Sequence, residues 1–270
     1  MVEIEKVLHS AREAAKIGRQ VIMSYYGRIR HVEEKEQAGL VSEADRESEV
    51  AITQFLRREH PEYWVLGEEE SFAKQGFGPV EILRQSGVWL VDPLDGTTNY
   101  VHRLPFFCVS IGLMFQNELQ VGVVDVPILD KVYWAAKGRG AFVNETPLKV
   151  SERDRLQDAL LATGFSMYDK TVLKKQVDTF GDLVGQTRGV RRAGSAAMDL
   201  CWVAEGVFDG YWESNLKPWD TAAGVLIVKE AGGIVTTYDG KKYDPFEATL
   251  VSANARLHSI LKNRIAEHWR

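Results

Sequence analysis

Cysteine is nearly absent from this 270-residue chain: Cys108 and Cys201 are the only two, and each lies inside an apolar segment. That placement predicts buried free thiols rather than a disulfide framework or a thiolate metal site. Long apolar runs are missing too, since no stretch approaches the roughly 20 residues that a membrane helix needs. The opening "MVEIEKVLHSAREAAKIGRQ" mixes charge with apolar residues and lacks the uninterrupted apolar region of a signal peptide. The expectation is a cytoplasmic chain with no membrane association. An excess of positive charge is also lacking: the net charge of −5 argues against a surface built for nucleic-acid backbone and favours a small partner. No internal repeat, low-complexity tract or Pro/Gly-rich linker divides the chain, so residues 1–270 are expected to form a single compact unit. What is present suffices for a core, at 45% hydrophobic and 26% charged residues.

Apolar residues from Ile4 to Tyr25 recur at helical spacing and predict a long amphipathic helix ending near Gly27. The polar stretch "HVEEKEQAGLVSEAD" leads into a second helix closed by His60 and Pro61. "YWVLGEEES" reads as a short buried strand that runs into three glutamates, and "GVWL" as another that stops before "VDPLDGTTNY". Four apolar segments between Phe106 and Asn144, separated by "QNE" and "KGRG", predict consecutive antiparallel strands. Strands and helices alternate thereafter: "DALLAT", then the helix "KTVLKKQVDTFGDLV", "GVRRA", the helix "AAMDLCWVA", "GYWE", the helix "DTAAGVLIVKEA", "GGIVTTY", "TLVSA" and a last helix from Arg256. Mixed hairpins and crossovers in this order suggest layered sheets covered by helices.

Three acidic groups stand at strand ends or a helix start: Glu68 to Glu70, the pair Asp92 and Asp95, and Asp220. Such places are where layered α/β proteins gather ligands. Each alone has a bland reading, as an acidic loop, a solvated turn and a first-turn acid favoured by the helix dipole. Together they suggest a carboxylate cage. Without His or Cys it suits a hard cation with oxygen ligands, Mg²⁺ being the usual choice beside phosphate. Pro93 restricts Asp92 to extended geometry, and Gly96 lets the backbone approach a ligand. "GTT" can then aim amides and the Thr97 hydroxyl at an anion.

"WLVDPLDGTTNYVHRLPFFCVSIGL" and "KPWDTAAGVLIVKEAGG" resemble the two signatures of the inositol monophosphatase family of Mg²⁺-dependent, lithium-sensitive phosphatases. "LVSEAD", "LGEEES" and "RRAGSAAMDLCWVAEGVFDGYWE" fall in the family's order, so the resemblance covers nearly the whole chain. It implies an α+β fold, a layered α-β-α-β-α sandwich, and a homodimer. It also implies two or three Mg²⁺ ions: a first held by Glu69, Asp92 and the Leu94 carbonyl, a second by Asp92, Asp95 and Asp220, and a weaker third by Glu69 with water. Asp45 resembles the acid that hydrogen-bonds a catalytic threonine, here Thr97. A phosphate monoester is an anion that repels hydroxide, so cations must neutralise its oxygens and activate water. Thr97, polarised by Asp45, and Glu69 would then orient and deprotonate that water, and the Gly96 and Thr97 amides would hold the phosphate.

For the substrate, Gly194, Ser195 and Ala196 resemble the backbone segment that meets a sugar or inositol ring. Glu213 resembles the acid that accepts from ring hydroxyls, and Lys35 falls where the family often has a lysine near the metals. Inositol monophosphate is the favoured substrate. Family members also hydrolyse fructose bisphosphate, adenosine 3′,5′-bisphosphate, NADP or histidinol phosphate, and Phe165 to Lys170, Arg191, Arg192 and Glu213 are expected to decide among them. A different class of function, a regulatory binding protein that keeps the fold, remains the alternative to an enzyme.

Overall fold

The computed structural model describes residues 2–29, 31–35, 39–74, 80–166 and 169–269, and only the backbone of residues 35, 39, 72, 73 and 84. Helix α1 (Ile4–Tyr25) is followed by a hairpin of β1 (Val32–Lys35) and β2 (Gly39–Ser42), then by α2 (Glu43–Glu59). Strand β3 (Trp64–Gly67) runs directly into the short α3 (Glu68–Ala73), and α4 (Val80–Ser86) precedes β4 (Val88–Asp95) and α5 (Thr97–Val101). An antiparallel series follows: β5 (Cys108–Phe115), β6 (Glu118–Val126), β7 (Lys131–Ala136), β8 (Ala141–Val143) and β9 (Thr146–Pro147). The later part holds β10 (Leu160–Thr163), α6 (Lys170–Val184), β11 (Gly189–Arg191), α7 (Ala196–Ala204), β12 (Gly210–Ser214), α8 (Pro218–Glu230), β13 (Ile234–Thr236), β14 (Thr249–Ala253) and α9 (His258–His268).

The strands form a seven-stranded sheet in the order β3 to β9 and a five-stranded sheet in the order β11-β10-β12-β14-β13, besides the β1-β2 ribbon. Only β3-β4 in the first sheet and β10-β11 and β10-β12 in the second are parallel. Helices α1 and α2 cover one face of the large sheet, α7 and α8 fill the space between the sheets, and α6 and α9 cover the far face of the small one. This is the layered α+β arrangement that the sequence implied.

Covering the large sheet on both faces explains why β4 reads as an unbroken apolar run. Trp89 and Val91 join the core beneath α1 and α2, while Val88 and Leu90 face Trp219 and Ala222 of α8. Helix α8 approaches this sheet closely. Gly112 of β5 and Gly122 of β6 are cross-strand partners, and a Cβ on either would meet Ala222 or Ala223 at 2.8 and 2.7 Å. Two expectations need correction. The strand before the Asp pair does not stop at Leu90 but continues to Asp95. The polar stretch after α1 carries the β1-β2 hairpin, in which Val32, Glu33 and Glu34 of β1 are exposed and only the short β2 turns side chains inward, so there is too little apolar alternation to read.

Candidate active site

Two residues three apart on a regular strand point to opposite faces. Asp92 and Asp95 escape this because β4 bulges between them: Asp92 is paired with Ser110 and Asp95 with Cys108, so three steps on β4 match two on β5. The extra residue restores a common face, and Pro93, which has no N–H to lose, is tolerated at a bulge. The Leu94 amide donates to Asp92 Oδ1 at 3.0 Å. Gly96 then turns the chain at φ 92°, where any Cβ would stand 2.9 Å from the Phe106 carbonyl. Asp92, Leu94, Asp95, Gly96 and Thr97 all line one pocket of about 780 Å³.

The three consecutive glutamates lie on α3, where neighbours diverge by about 100° around the axis. Glu68 enters the pocket. Glu70 is turned to Lys74 Nζ and Arg57, at 2.6 and 3.0 Å, and Glu69 adds its charge to the surroundings of Arg46. Of the three, Glu68 lines the pocket, while Glu69, the acid that the resemblance implies as a metal ligand, is not among the lining residues. The charge of Glu68 acts on Asp45, Asp92, Asp95 and Asp220.

Helix α2 brings Asp45 beneath the pocket. Its Oδ2 accepts from the amide and hydroxyl of Ser42, at 2.8 and 2.6 Å, and its Oδ1 accepts from Thr97 Oγ1 at 2.9 Å. The Leu94 carbonyl is 3.1 Å from the same hydroxyl. Burial raises the Asp45 carboxyl to about 6, against the hydrogen bonds from Ser42 that favour its anion.

Across the pocket, α7 meets Asp95. The Ser195 hydroxyl and the Ala197 amide donate to Asp95 Oδ2 at 2.7 and 2.8 Å. Gly194 has φ 95°, and Ser195 and Ala196 line the pocket beside it, although the Ser195 hydroxyl is spent on Asp95. Asn99, which sequence reasoning passes over, staples the two segments: its amide group donates to the carbonyls of Phe106 and Ala193 at 2.7 and 2.9 Å. Nothing in the sequence marks Asn99 apart from its place in the "GTTNY" run. Asp220 serves two purposes, lining the pocket while its Oδ2 accepts from the Lys217 amide at 2.7 Å.

Glu213 faces the same space, its Oε2 accepting from the Tyr211 hydroxyl at 2.5 Å. A Cβ on Gly164 would lie 2.1 Å from its carboxyl carbon, so only glycine leaves Glu213 its place. Phe165, Lys170 and Arg192 also line the pocket, whereas Arg191 turns back to the Val190 carbonyl. Residues 167–168, within the segment expected to govern specificity, and the Lys35 side chain lie outside what is described.

Asp92, Asp95 and Asp220 all have their carboxyls pushed above the ordinary range, first by burial and then by the charge of Glu68, to which Asp95 adds for Asp92 and Asp220. Among the described residues, no three His, Cys, Asp or Glu side chains are grouped as a finished metal-binding cluster. The donor set nonetheless fits a hard cation: Glu68, Asp92, Asp95 and Asp220 line one pocket beside Leu94, offering oxygen donors whose mutual repulsion a cation would relieve.

The sequence pattern of the inositol monophosphatase family matches residues 3–270. An inositol-1-monophosphatase of Synechocystis sp. is 41% identical over 98% of this chain and 90% of its own length. A fructose-1,6-bisphosphatase/inositol-1-monophosphatase of Aquifex aeolicus is 38% identical over 97% of this chain and 96% of its own. The crystal structure of the extragenic suppressor protein suhB from Bartonella henselae superposes with a TM-score of 0.87 at 36% identity, covering 96% of this chain and 98% of that one. The chain thus belongs to the inositol monophosphatase family of phosphatases.

Proposed function

We propose that residues 1–270 act as one Mg²⁺-dependent phosphoric monoester hydrolase whose substrate is inositol monophosphate, working as a cytoplasmic, lithium-sensitive homodimer. One observation carries the reading: Glu68, Asp92, Asp95, Asp220 and Thr97 share a pocket with Glu213, an acid suited to ring hydroxyls. Carboxylates alone would repel a phosphate, so the substrate has to arrive with cations. Bound Mg²⁺ supplies positive charge for the phosphoryl oxygens and acidifies water. Glu68, Asp92, Asp95, Asp220 and the Leu94 carbonyl would hold it.

The remaining work belongs to the chain's own groups. Because the Thr97 hydroxyl donates to Asp45, its oxygen can accept a proton from an attacking water as its own proton passes to Asp45, which holds it, while the departing alkoxide takes a proton from a second water. Glu68 shares in orienting that water. The amides of Gly96 and Thr97 hold the phosphate, and Gly194, Ser195, Ala196 and Glu213 seat the ring. No membrane partner is invoked, and among the described residues no helix is long and apolar enough to cross a membrane.

A second reading has an observation of its own. Lys170, Arg192 and Lys217 line the mouth of the pocket, a suitable place for the second phosphate of a sugar bisphosphate. Phosphate release from inositol 1-phosphate, fructose 1,6-bisphosphate and adenosine 3′,5′-bisphosphate, measured with and without Mg²⁺, separates the two. Highest kcat/KM on inositol 1-phosphate supports the first reading; preference for the hexose bisphosphate selects the second. No release from any of them with millimolar Mg²⁺ would sink the enzyme reading in favour of a binding role.

A further inference from the structure

One turn beyond Asp45, helix α2 carries another buried acid that takes no part in the reaction described above. Glu49 is 6% exposed. Its Oε2 accepts from the Glu69 amide and its Oε1 from the Glu70 amide, both at 2.7 Å. The carboxyl lies against Gly67 so closely that a Cβ there would stand 2.4 Å from the Glu49 Cδ. The gripped amides belong to the first turn of α3 and have no partner within that helix. Two contacts from one planar group fix both the direction of α3 and its rotation about its own axis.

Rotation is what decides among the three glutamates, since a turn of about 100° would bring Glu69 inward in place of Glu68. The neighbouring Ser48 acts on a second piece of the pocket: its hydroxyl donates to the Pro93 carbonyl at 3.1 Å, inside the bulge that aligns Asp92 with Asp95. Asp45, Ser48 and Glu49 stand at i, i+3 and i+4 and so share one face of α2. That face holds Thr97, the β4 bulge and α3 at once. A buried carboxylate is costly unless hydrogen-bonded, and here both of its oxygens are.

We propose that Glu49, supported by Ser48, is a positioning residue for metal binding: it clamps α3 so that Glu68 faces Asp92, Asp95 and Asp220. The proposal rests on the Mg²⁺ reading above, and its test separates the two.

Binding of MgCl₂ to wild type, Glu49→Gln, Gly67→Ala and their double variant would be measured by titration calorimetry, with thermal unfolding as the control for folding. Glu49→Gln sets an NH₂ group against one amide, and Gly67→Ala displaces the carboxyl from the other side. Each is expected to weaken Mg²⁺ binding about tenfold or more, as loss of a ligand-orienting partner does. The double variant should lose little beyond either single one, because both break the same contact. Should these variants not fold, Ser48→Ala removes a single hydrogen bond, and a severalfold loss of Mg²⁺ affinity is expected of it. Variants that unfold earlier yet bind Mg²⁺ within about twofold of wild type would make Glu49 an ordinary helix cap and overturn the proposal alone. Wild-type protein that binds no Mg²⁺ overturns the proposal and the Mg²⁺ reading together.

Discussion

Thr97 Oγ1 lies 2.9 Å from Asp45 Oδ1, and through that contact a buried acid reaches the pocket. Thr97→Ala and Asp45→Asn are expected to lower kcat by roughly 10²- to 10⁴-fold, the range for general acid–base groups, with folded protein confirmed by circular dichroism. The loss of charge in Asp45→Asn also weakens the start of α2, by about 1 kcal/mol, a typical helix-cap cost. The glutamates give a sharper contrast. Glu68→Gln should abolish turnover and weaken Mg²⁺ binding, whereas Glu69→Gln, which alters a half-buried group outside the pocket lining, should lower kcat far less. The reverse pattern in paired kinetic assays would select Glu69. Asp95→Asn keeps the shape but removes a charge, and it too should abolish turnover in a folded protein.

At the scale of the element, the β4 bulge and the closeness of α8 to the large sheet set where the acids stand. Gly122→Ala would place a Cβ 2.7 Å from the Ala223 carbonyl oxygen and 2.8 Å from its Cα. Backbone is the obstacle, so α8 must shift. Overpacking of this sort costs about 1–3 kcal/mol, visible as a lower midpoint in urea or thermal unfolding. Since Asp220 rides on α8, activity should fall further than stability alone explains. The helices α6 and α7 and the strand β14 could be read from periodicity to their end residues. The bulge could not, because it exists only as a register between β4 and β5, and the β1-β2 hairpin has too little apolar pattern to declare itself.

The whole molecule carries an unusual load of buried acids. Burial raises Asp45 and Asp125 to about 6 and Glu213 to about 7, and it pushes Asp92 and Asp220 well above their ordinary range. Each folded-state value exceeds the unfolded one. Between about pH 4 and pH 7 the folded chain therefore holds more protons than the unfolded chain, and this contribution to stability is lost as pH rises through the window. Without divalent metal, the unfolding midpoint should be higher near pH 5.5 than near pH 8. On the proposed reading Mg²⁺ binds only the folded form and competes with those protons, so it should raise the midpoint by several degrees near pH 8 and by much less near pH 5.5. Scanning fluorimetry in chelator and in millimolar MgCl₂ checks both; a midpoint indifferent to Mg²⁺ near pH 8 would count against the metal reading.

By itself the sequence determined the chemistry available: acids without His or Cys partners at strand ends, a single glycine, Gly96, between Asp95 and Thr97, and helices whose apolar stripes require sheets to cover. Those are properties of single segments, carried by residue type and spacing. Which of three glutamates turns inward, how two aspartates three apart reach one face, and why Ser195 and Asn99 join distant segments were decided only in the tertiary structure. Such features are relations between segments, set by helix rotation and strand register, and no local pattern encodes them.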